Sequence, residues 1–520
     1  MPGKVKIILG AIVLVGGLLR IVALDQWPIG IAPDELAIGL SGYSIAKTGT
    51  DYRQTGHPPL YVTGLSPRYD NRTSVLDIYA NALENLVFRP SLWTIRLPGA
   101  LVGTLTIFLV FLLARMLFKD NAIALTSAGV IALSPYHIFY SRFGNDAVFC
   151  IALILAGTLL FRRALRSGRA LTFAASAALL ALTLYGYLTY KLLTPLFIPI
   201  LVVTHWQQLR QNKRGLIIWI STGLIVALPS VLVHMFHWAT INAEFAFVHA
   251  QGSSTLGPIF LLLNLLSFYL PQFWAGDRTG LIVEGVLAIV GFVWLIRRRH
   301  PELLFLALWL LWFPLAAALT DTVFVIPHPL RGSSWLTLMP LLAGAGGVAL
   351  VRRLRHNTVK LTAALVVFLC LATIGGARIW SHWHVGNTPT CCFAFGSRID
   401  QPIFTYLRQQ PPNEDVVVSL WGQDVWQQGL AYAFLLPVPP RLLQTDGVFE
   451  PQKFIPALDI LTRVGRFRFC TLSDPGCYTP NDGKLYIVFA GELPDLPGTV
   501  LSRNHDGSVR FRAVRNIQTD

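Results

Sequence analysis

Apolar stretches of about twenty residues recur along most of this chain, and no other feature limits its folding so severely. About 20 mostly apolar residues in a helix cross the hydrocarbon core of a bilayer. Such stretches lie at 7–24, 95–117, 121–140, 146–161, 170–188, 190–205, 215–233, 280–296, 302–320, 333–351 and 359–376. The expected fold class is therefore a polytopic α-helical membrane protein with about 11 transmembrane helices. The make-up agrees: 13% of the 520 residues are charged and 53% are hydrophobic, against about 25% charged in an average soluble domain. An ordinary cytosolic enzyme and a disordered chain are excluded. The formal charge of +15 is not a nucleic-acid footprint, because no basic stretch is interleaved with aromatic residues in a polar context.

Lys4 and Lys6 precede the first apolar run as in a signal peptide, but no small-residue cleavage site follows before Asp25. A retained helix is expected. Basic residues collect on the cytoplasmic side of membrane proteins. With the N-terminus inside, eleven spans bring Arg115/Lys119, Arg162–Arg169, Arg210–Arg214, Arg297–Arg299 and Arg352–Lys360 to that side. A further span at 258–274 would turn the last two clusters outward, so 234–279 is expected outside, with 258–274 interfacial or re-entrant. The excess positive charge is then a topology signal, and the outer side is close to neutral.

Two domains are expected. Residues 1–376 form the membrane domain, with a first outer loop at 25–94. Residues 377–520 form a small extracytoplasmic α/β domain, with strand-like runs at Val416–Leu420, Leu485–Phe489 and Val509–Val514 and two short helices. Cys391, Cys392, Cys470 and Cys477 fall there on the oxidising side, where at least one disulfide is plausible. Cys150 and Cys370 lie in spans as core filler. No cysteine pair has zinc-site spacing, and no internal repeat is visible.

The outer connections carry the chemistry-bearing residues. Asp34 and Glu35 follow Pro33 just beyond the first span. They are either an N-cap and a first-turn acid, or a general base at the membrane surface. Arg142 and Asp146 flank Gly144-Asn145, either as an Arg–Asp pair with a capping acid or as a phosphate-binding cation beside a catalytic acid. Lys191 follows Tyr185, Tyr187 and Tyr190, and His328 and Arg331 follow in a later connection. Cations held outside suit an anionic ligand; snorkelling at an aromatic interface is the bland alternative.

In order along the chain these pieces resemble the bacterial members of the dolichyl-phosphate-mannose protein mannosyltransferase superfamily (glycosyltransferase family 39). The resemblance runs over most of 7–376. It rests on Asp34-Glu35, Ser41–Gly49, Thr94–Gly103, Ser134–His137 with Ser141–Phe143, Tyr185–Lys191, Gly276-Asp277 and Pro327–Arg331. It departs where His57-Pro58-Pro59-Leu60-Tyr61 stands early in the first loop and where Lys191 replaces a common arginine. The resemblance implies two amphipathic helices in that loop, Asp34 as catalytic base with Glu35 beside it, and Asp146 as part of the site. It places the donor phosphate on Arg142, Lys191, His328 and Arg331. The implied reaction moves a sugar from a polyprenyl-phosphate donor to a hydroxyl of a protein, lipid or glycan. Some relatives bind a divalent ion near the acids; no ligand spacing here demands one. Two alternatives stand beside this reading. A polyprenyl-linked oligosaccharide ligase or polymerase shares the outer cations without needing Asp34-Glu35, and a transporter needs ionisable residues at mid-span, where this chain has almost none. The Asn71 sequon is incidental.

Overall fold

The computed structural model describes residues 2–28, 30–54, 62–63, 72–73, 75–236, 265–266, 282–318, 331–354, 356, 358–359, 362, 401–420, 425–451, 459–503 and 507–515. His328, Asn71, Cys370, Cys391, Cys392, His57–Tyr61, Gly276-Asp277 and nearly all of 258–274 and 359–376 lie outside them. The chain divides into two compact units: Met1–Pro28, Ser74–Asp77 and Arg96–Cys392 form one, and Ile29–Thr73, Ile78–Ile95 and Phe393–Asp520 the other. The second unit thus joins most of the first loop to the tail.

The first unit is helical. It contains α1 (Gly3–Ile21), most of α4 (Leu92–Phe118), α5 (Asn121–Leu133), α6 (Pro135–Ser141), α7 (Asp146–Ser167), α8 (Ala170–Leu182), α9 (Leu188–Thr204), α10 (Trp206–Gln211) and α11 (Lys213–Phe236). After a gap come α12 (Ile282–Arg297), α13 (Leu303–Trp312), α14 (Leu315–Ala318) and α15 (Met339–Arg353). Each predicted span from 7 to 351 coincides with a helix or a broken helix. Among the described residues three helices are long and apolar enough to cross a membrane, or four if the pair α5–α6, bent by 60° at Ser134-Pro135, is one span. The bend has a local cause: Pro135 lacks the N–H that would continue α5.

Small residues let these helices approach closely where the hydrophobic effect is absent. A Cβ on Gly291 would meet the Leu342 carbonyl at 2.0 Å, and one on Gly346 the Leu287 carbonyl at 1.9 Å, so α12 and α15 touch backbone to backbone. Elsewhere indoles fill the bundle. Trp309 donates to Thr337 Oγ1 at 3.0 Å and Trp312 to the Leu193 carbonyl at 2.6 Å, which satisfies both buried N–H groups.

The second unit holds α2 (Pro33–Thr48), a two-residue ladder of β1 (Val62–Thr63) with β2 (Arg72–Thr73), and most of α3 (Leu76–Asn85). From the tail come α16 (Gln401–Gln409), β3 (Val416–Ser419), α17 (Val425–Leu435), α18 (Pro440–Asp446), β4 (Val448–Pro451), β5 (Asp459–Val464), β6 (Phe467–Cys470), β7 (Leu485–Phe489), β8 (Gly498–Arg503) and β9 (Val509–Arg515). Seven strands form one mixed sheet in the order β4-β5-β6-β3-β7-β9-β8, with the buried β3 parallel to both neighbours. Cys470 and Cys477 form a disulfide.

Within this unit α2 packs on α17 and α18. Gln444 of α18 donates to Thr48 Oγ1 at 3.0 Å and to the Asp51 carbonyl at 2.9 Å. Arg53 lies 3.8 Å over the Phe449 ring. Consequently α2 is buried along most of its length and is not the amphipathic helix that the resemblance implies. The helix α3 does have an apolar face: Leu83, and Leu86, Val87 and Phe88 just beyond it, are exposed. A stripe of that kind suits a headgroup boundary.

Candidate functional site

Asp34 and Glu35 occupy the second and third positions of α2 behind Pro33, which suits a first turn where no backbone N–H needs an intrahelical partner. The N-cap is Ala32, not Asp34. An alanine side chain offers no acceptor, so Glu35 turns back and accepts the Ala32 N–H at 2.9 Å. That bond accounts for Glu35 being fully buried while Asp34, one residue earlier, is exposed. Of the pair, Asp34 is the exposed carboxylate.

Near α2, Asp51 is a fully buried carboxylate. Burial pushes the phenol of Tyr79 up, and the Asp51 charge adds to the effect. On the same helix as Tyr79, burial pushes the Glu84 carboxyl up to about 7. A carboxyl raised in the folded state leaves folding unpenalised below its ordinary value and penalises it increasingly as pH climbs toward the raised one. Glu84→Gln should therefore raise the melting temperature at pH 8 and leave it unchanged at pH 4, as thermal melts at the two pH values will show. Neither Asp51 nor Glu84 stood out in the sequence, since burial of a lone acid leaves no local pattern.

In the first unit Asn145, not Asp146, caps α7, its side chain accepting the Ala147 N–H at 2.7 Å. Asp146 is thereby freed for another contact. It is 4% exposed and accepts the Asp77 N–H at 2.8 Å, meeting the open first turn of α3. Asp146 and Lys191 both lie close enough to the buried Cys150 to act on its thiol electrostatically. Lys191 sits in the first turn of α9, half-buried. A Cβ on Gly186 would meet Cys150 Sγ at 2.2 Å, so only glycine lets the turn before α9 approach α7 here.

The tyrosines do not form an outward aromatic belt. Tyr140 and Tyr190 are at most 1% exposed. Tyr136 donates to the Tyr140 hydroxyl at 2.8 Å and packs 5.5 Å from the Trp335 ring, while Tyr187 and Tyr190 act on it electrostatically. Ser333 stands beside Tyr190, which brings the segment that begins with Arg331 to the same region of the unit. Asp146, Lys191 and the tyrosines thus cluster around α7 and the turn before α9.

Arg142 is positioned otherwise. Its guanidinium donates to the carbonyls of Leu19 (3.0 Å), Ala23 (2.9 Å) and Trp27 (2.9 and 3.1 Å). Arg96 donates to Leu24 (3.1 Å) and Pro28 (2.9 Å). The two arginines gather the open carbonyls at and beyond the end of α1. Among the described residues no group of three or more His, Cys, Asp or Glu is placed to hold a metal ion.

Residues 76–236 match the family described as dolichyl-phosphate-mannose-protein mannosyltransferase. The undecaprenyl phosphate-alpha-4-amino-4-deoxy-L-arabinose arabinosyl transferase 2 of Proteus mirabilis (strain HI4320) is 25% identical over 320 residues, 57% of this chain and 53% of that protein. The match therefore spans about half the length of this curated relative. Among solved structures, ArnT from Cupriavidus metallidurans bound to undecaprenyl phosphate aligns over 99% of this chain and 98% of its own, with TM-score 0.55 and 13% identity. The apo oligosaccharyltransferase of Archaeoglobus fulgidus aligns over 82% and 64%, with TM-score 0.51 and 12% identity. Those identities establish likeness of fold. Residues 76–236 are thus similar to the dolichyl-phosphate-mannose-protein mannosyltransferase family, and the chain over nearly its whole length shares the fold of ArnT.

Proposed function

We propose that this protein is a membrane glycosyltransferase that moves a sugar from a polyprenyl-phosphate donor to an acceptor hydroxyl on the extracytoplasmic side. Eleven spans, a cytoplasmic N-terminus and an extracytoplasmic tail in the plasma membrane belong to the same proposal. One observation supports it above the others. Inside the stretch matched to the mannosyltransferase family, an acid and a cation, Asp146 and Lys191, both lie near the buried Cys150.

The reaction is a single displacement with inversion. The acceptor oxygen attacks the anomeric carbon and its proton passes to the Asp34 carboxylate. The bond from that carbon to the phosphate oxygen breaks, and polyprenyl phosphate leaves with the bonding pair. One carboxylate suffices because the leaving group needs balanced charge more than a proton. Lys191 and Arg331 are assigned to the phosphate, together with His328. Asp146 holds the first turn of α3 by accepting the Asp77 N–H. Arg142, with its donors on backbone carbonyls, is assigned to positioning.

The test uses the full chain in native-like membranes with labelled polyprenyl-phosphate sugars. Label should move to a membrane or protein acceptor, and glycan analysis of a deletion strain should show the missing product. Failure of transfer from every such donor sinks the proposal. Lys191→Gln and Arg331→Gln should each raise the donor KM by about tenfold or more, as expected for loss of a charged hydrogen bond. Unchanged donor kinetics in both variants would remove them from the phosphate site.

A further inference from the structure

Lys119, Arg162 and Arg166 line a cavity of about 380 Å³ in the first unit. It lies at the opposite end of α7 from Asp146, about 24 Å away by helical rise. The volume falls at the lower end of the range for small-molecule sites, roughly 300–1,000 Å³.

The wall is built and buried. The Arg162 side chain is 9% exposed and is forked onto both Glu302 oxygens. It also donates to His205 Nε2 at 2.9 Å. Arginine has no acceptor, so that ring nitrogen carries no proton. The other ring nitrogen lies 3.1 Å from the Leu201 carbonyl and donates to it, which makes His205 neutral. Arg162 Nε is buried and has no hydrogen-bond partner among the described residues. His300 sits between the rings of Phe118 (5.6 Å) and Trp294 (5.7 Å). Burial holds it below the ordinary histidine value, Glu302 opposing and Lys119 assisting.

With Arg162 balanced by Glu302, His205 neutral and His300 accepting the Glu302 N–H on Nδ1 at 3.3 Å, the positive charge of the cavity comes from the exposed Lys119 and Arg166. The acid beside Lys119, Asp120, is held by Arg352 at 2.6 Å. Leu117, Phe118 and Leu165 supply an apolar flank. Two cations beside an apolar wall at the end of a helical bundle suit an anion that carries a hydrocarbon chain.

We infer that this cavity binds the phosphate-bearing headgroup of an anionic membrane lipid, with Lys119 and Arg166 meeting the phosphate and the flank receiving the first part of the chain. A free phosphate shares the anionic chemistry but gains nothing from the flank.

The full-length protein in detergent is titrated with phosphatidylglycerol, with phosphatidylcholine and with inorganic phosphate, and bound adducts are followed by native mass spectrometry. Phosphatidylglycerol should be retained in preference to phosphatidylcholine, and inorganic phosphate at equal concentration should not displace it. The double variant Lys119→Gln/Arg166→Gln should bind phosphatidylglycerol about 30-fold more weakly, from two roughly fivefold effects. Both side chains are exposed, so the fold should persist, as an unchanged melting temperature will verify. Arg169→Gln/Arg214→Gln removes the same charge from exposed positions off the cavity lining and should leave binding intact. Equal weakening in that control, unaltered binding in the first pair, or displacement by inorganic phosphate overturns the inference.

Discussion

Asp34→Asn is expected to lower sugar transfer by about 10²–10⁴-fold, the usual worth of a general base, with the protein's abundance and melting temperature little changed. The amide keeps the shape of the side chain and removes only the ability to take a proton. Asp34 is exposed at the second position of α2. Part of the structural cost is one favourable charge at a helix N-terminus, about 0.3–1 kcal/mol. Glu35→Gln is the informative partner, because Glu35 is buried and holds the Ala32 N–H at 2.9 Å. It should loosen the start of α2 and lower thermal stability while leaving residual transfer. Donor and acceptor turnover measured on both variants, beside thermal melts, separates the roles. Full activity in Asp34→Asn with loss in Glu35→Gln would exchange them, and full activity in both would favour a ligase or polymerase, which has no need of the pair.

The second large effect concerns stability. Arg142→Ala should destabilise the protein by about 3–5 kcal/mol, since hydrogen bonds from a charged donor contribute about 1.5–3 kcal/mol each and do not add fully. Four such bonds to three carbonyls disappear together. The carbonyls of Leu19, Ala23 and Trp27 would be left without these donors near the end of α1. Arg142→Lys should recover only part of the loss, because an ammonium cannot reproduce the planar fork. Melting in detergent monitored by fluorescence will measure both. A donor KM that rises in Arg142→Lys while the melting temperature stays at the parental value would return Arg142 to the phosphate.

Much of the helical part was legible because a bilayer imposes a length and a composition on each crossing segment. The helices α1, α4–α9 and α11–α15 stand where the apolar stretches lie, whereas the break at Ser134-Pro135 falls inside a stretch read as one continuous span. In the tail, β3, β7 and β9 were readable from runs such as Val416–Leu420 and Leu485–Phe489. The strands β4, β5, β6 and β8 were not. These strands lack a run of apolar residues: β4 ends in Glu450-Pro451, Arg463 and Arg468 break up β5 and β6, and β8 runs from Gly498 to Ser502-Arg503. At the candidate site the residue types were readable and their partners were not. Asp146 looked like a cap, yet Asn145 takes that role. Arg142 looked like a ligand for an anion, yet its donors meet carbonyls supplied by residues more than a hundred positions earlier. Long-range pairing of this kind leaves no trace in local spacing.

The bonds from Gln444 to Thr48 and Asp51 connect residues 396 and 393 positions apart. They have a consequence for how activity arises during synthesis. The helix bearing Asp34 is made nearly 400 residues before the helices it packs on. A nascent or prematurely terminated chain therefore inserts its membrane helices without completing the surroundings of its acid. If Asp34 serves as the proposed base, such a chain would be inert, and competence would arrive only once residues 425–446 have emerged.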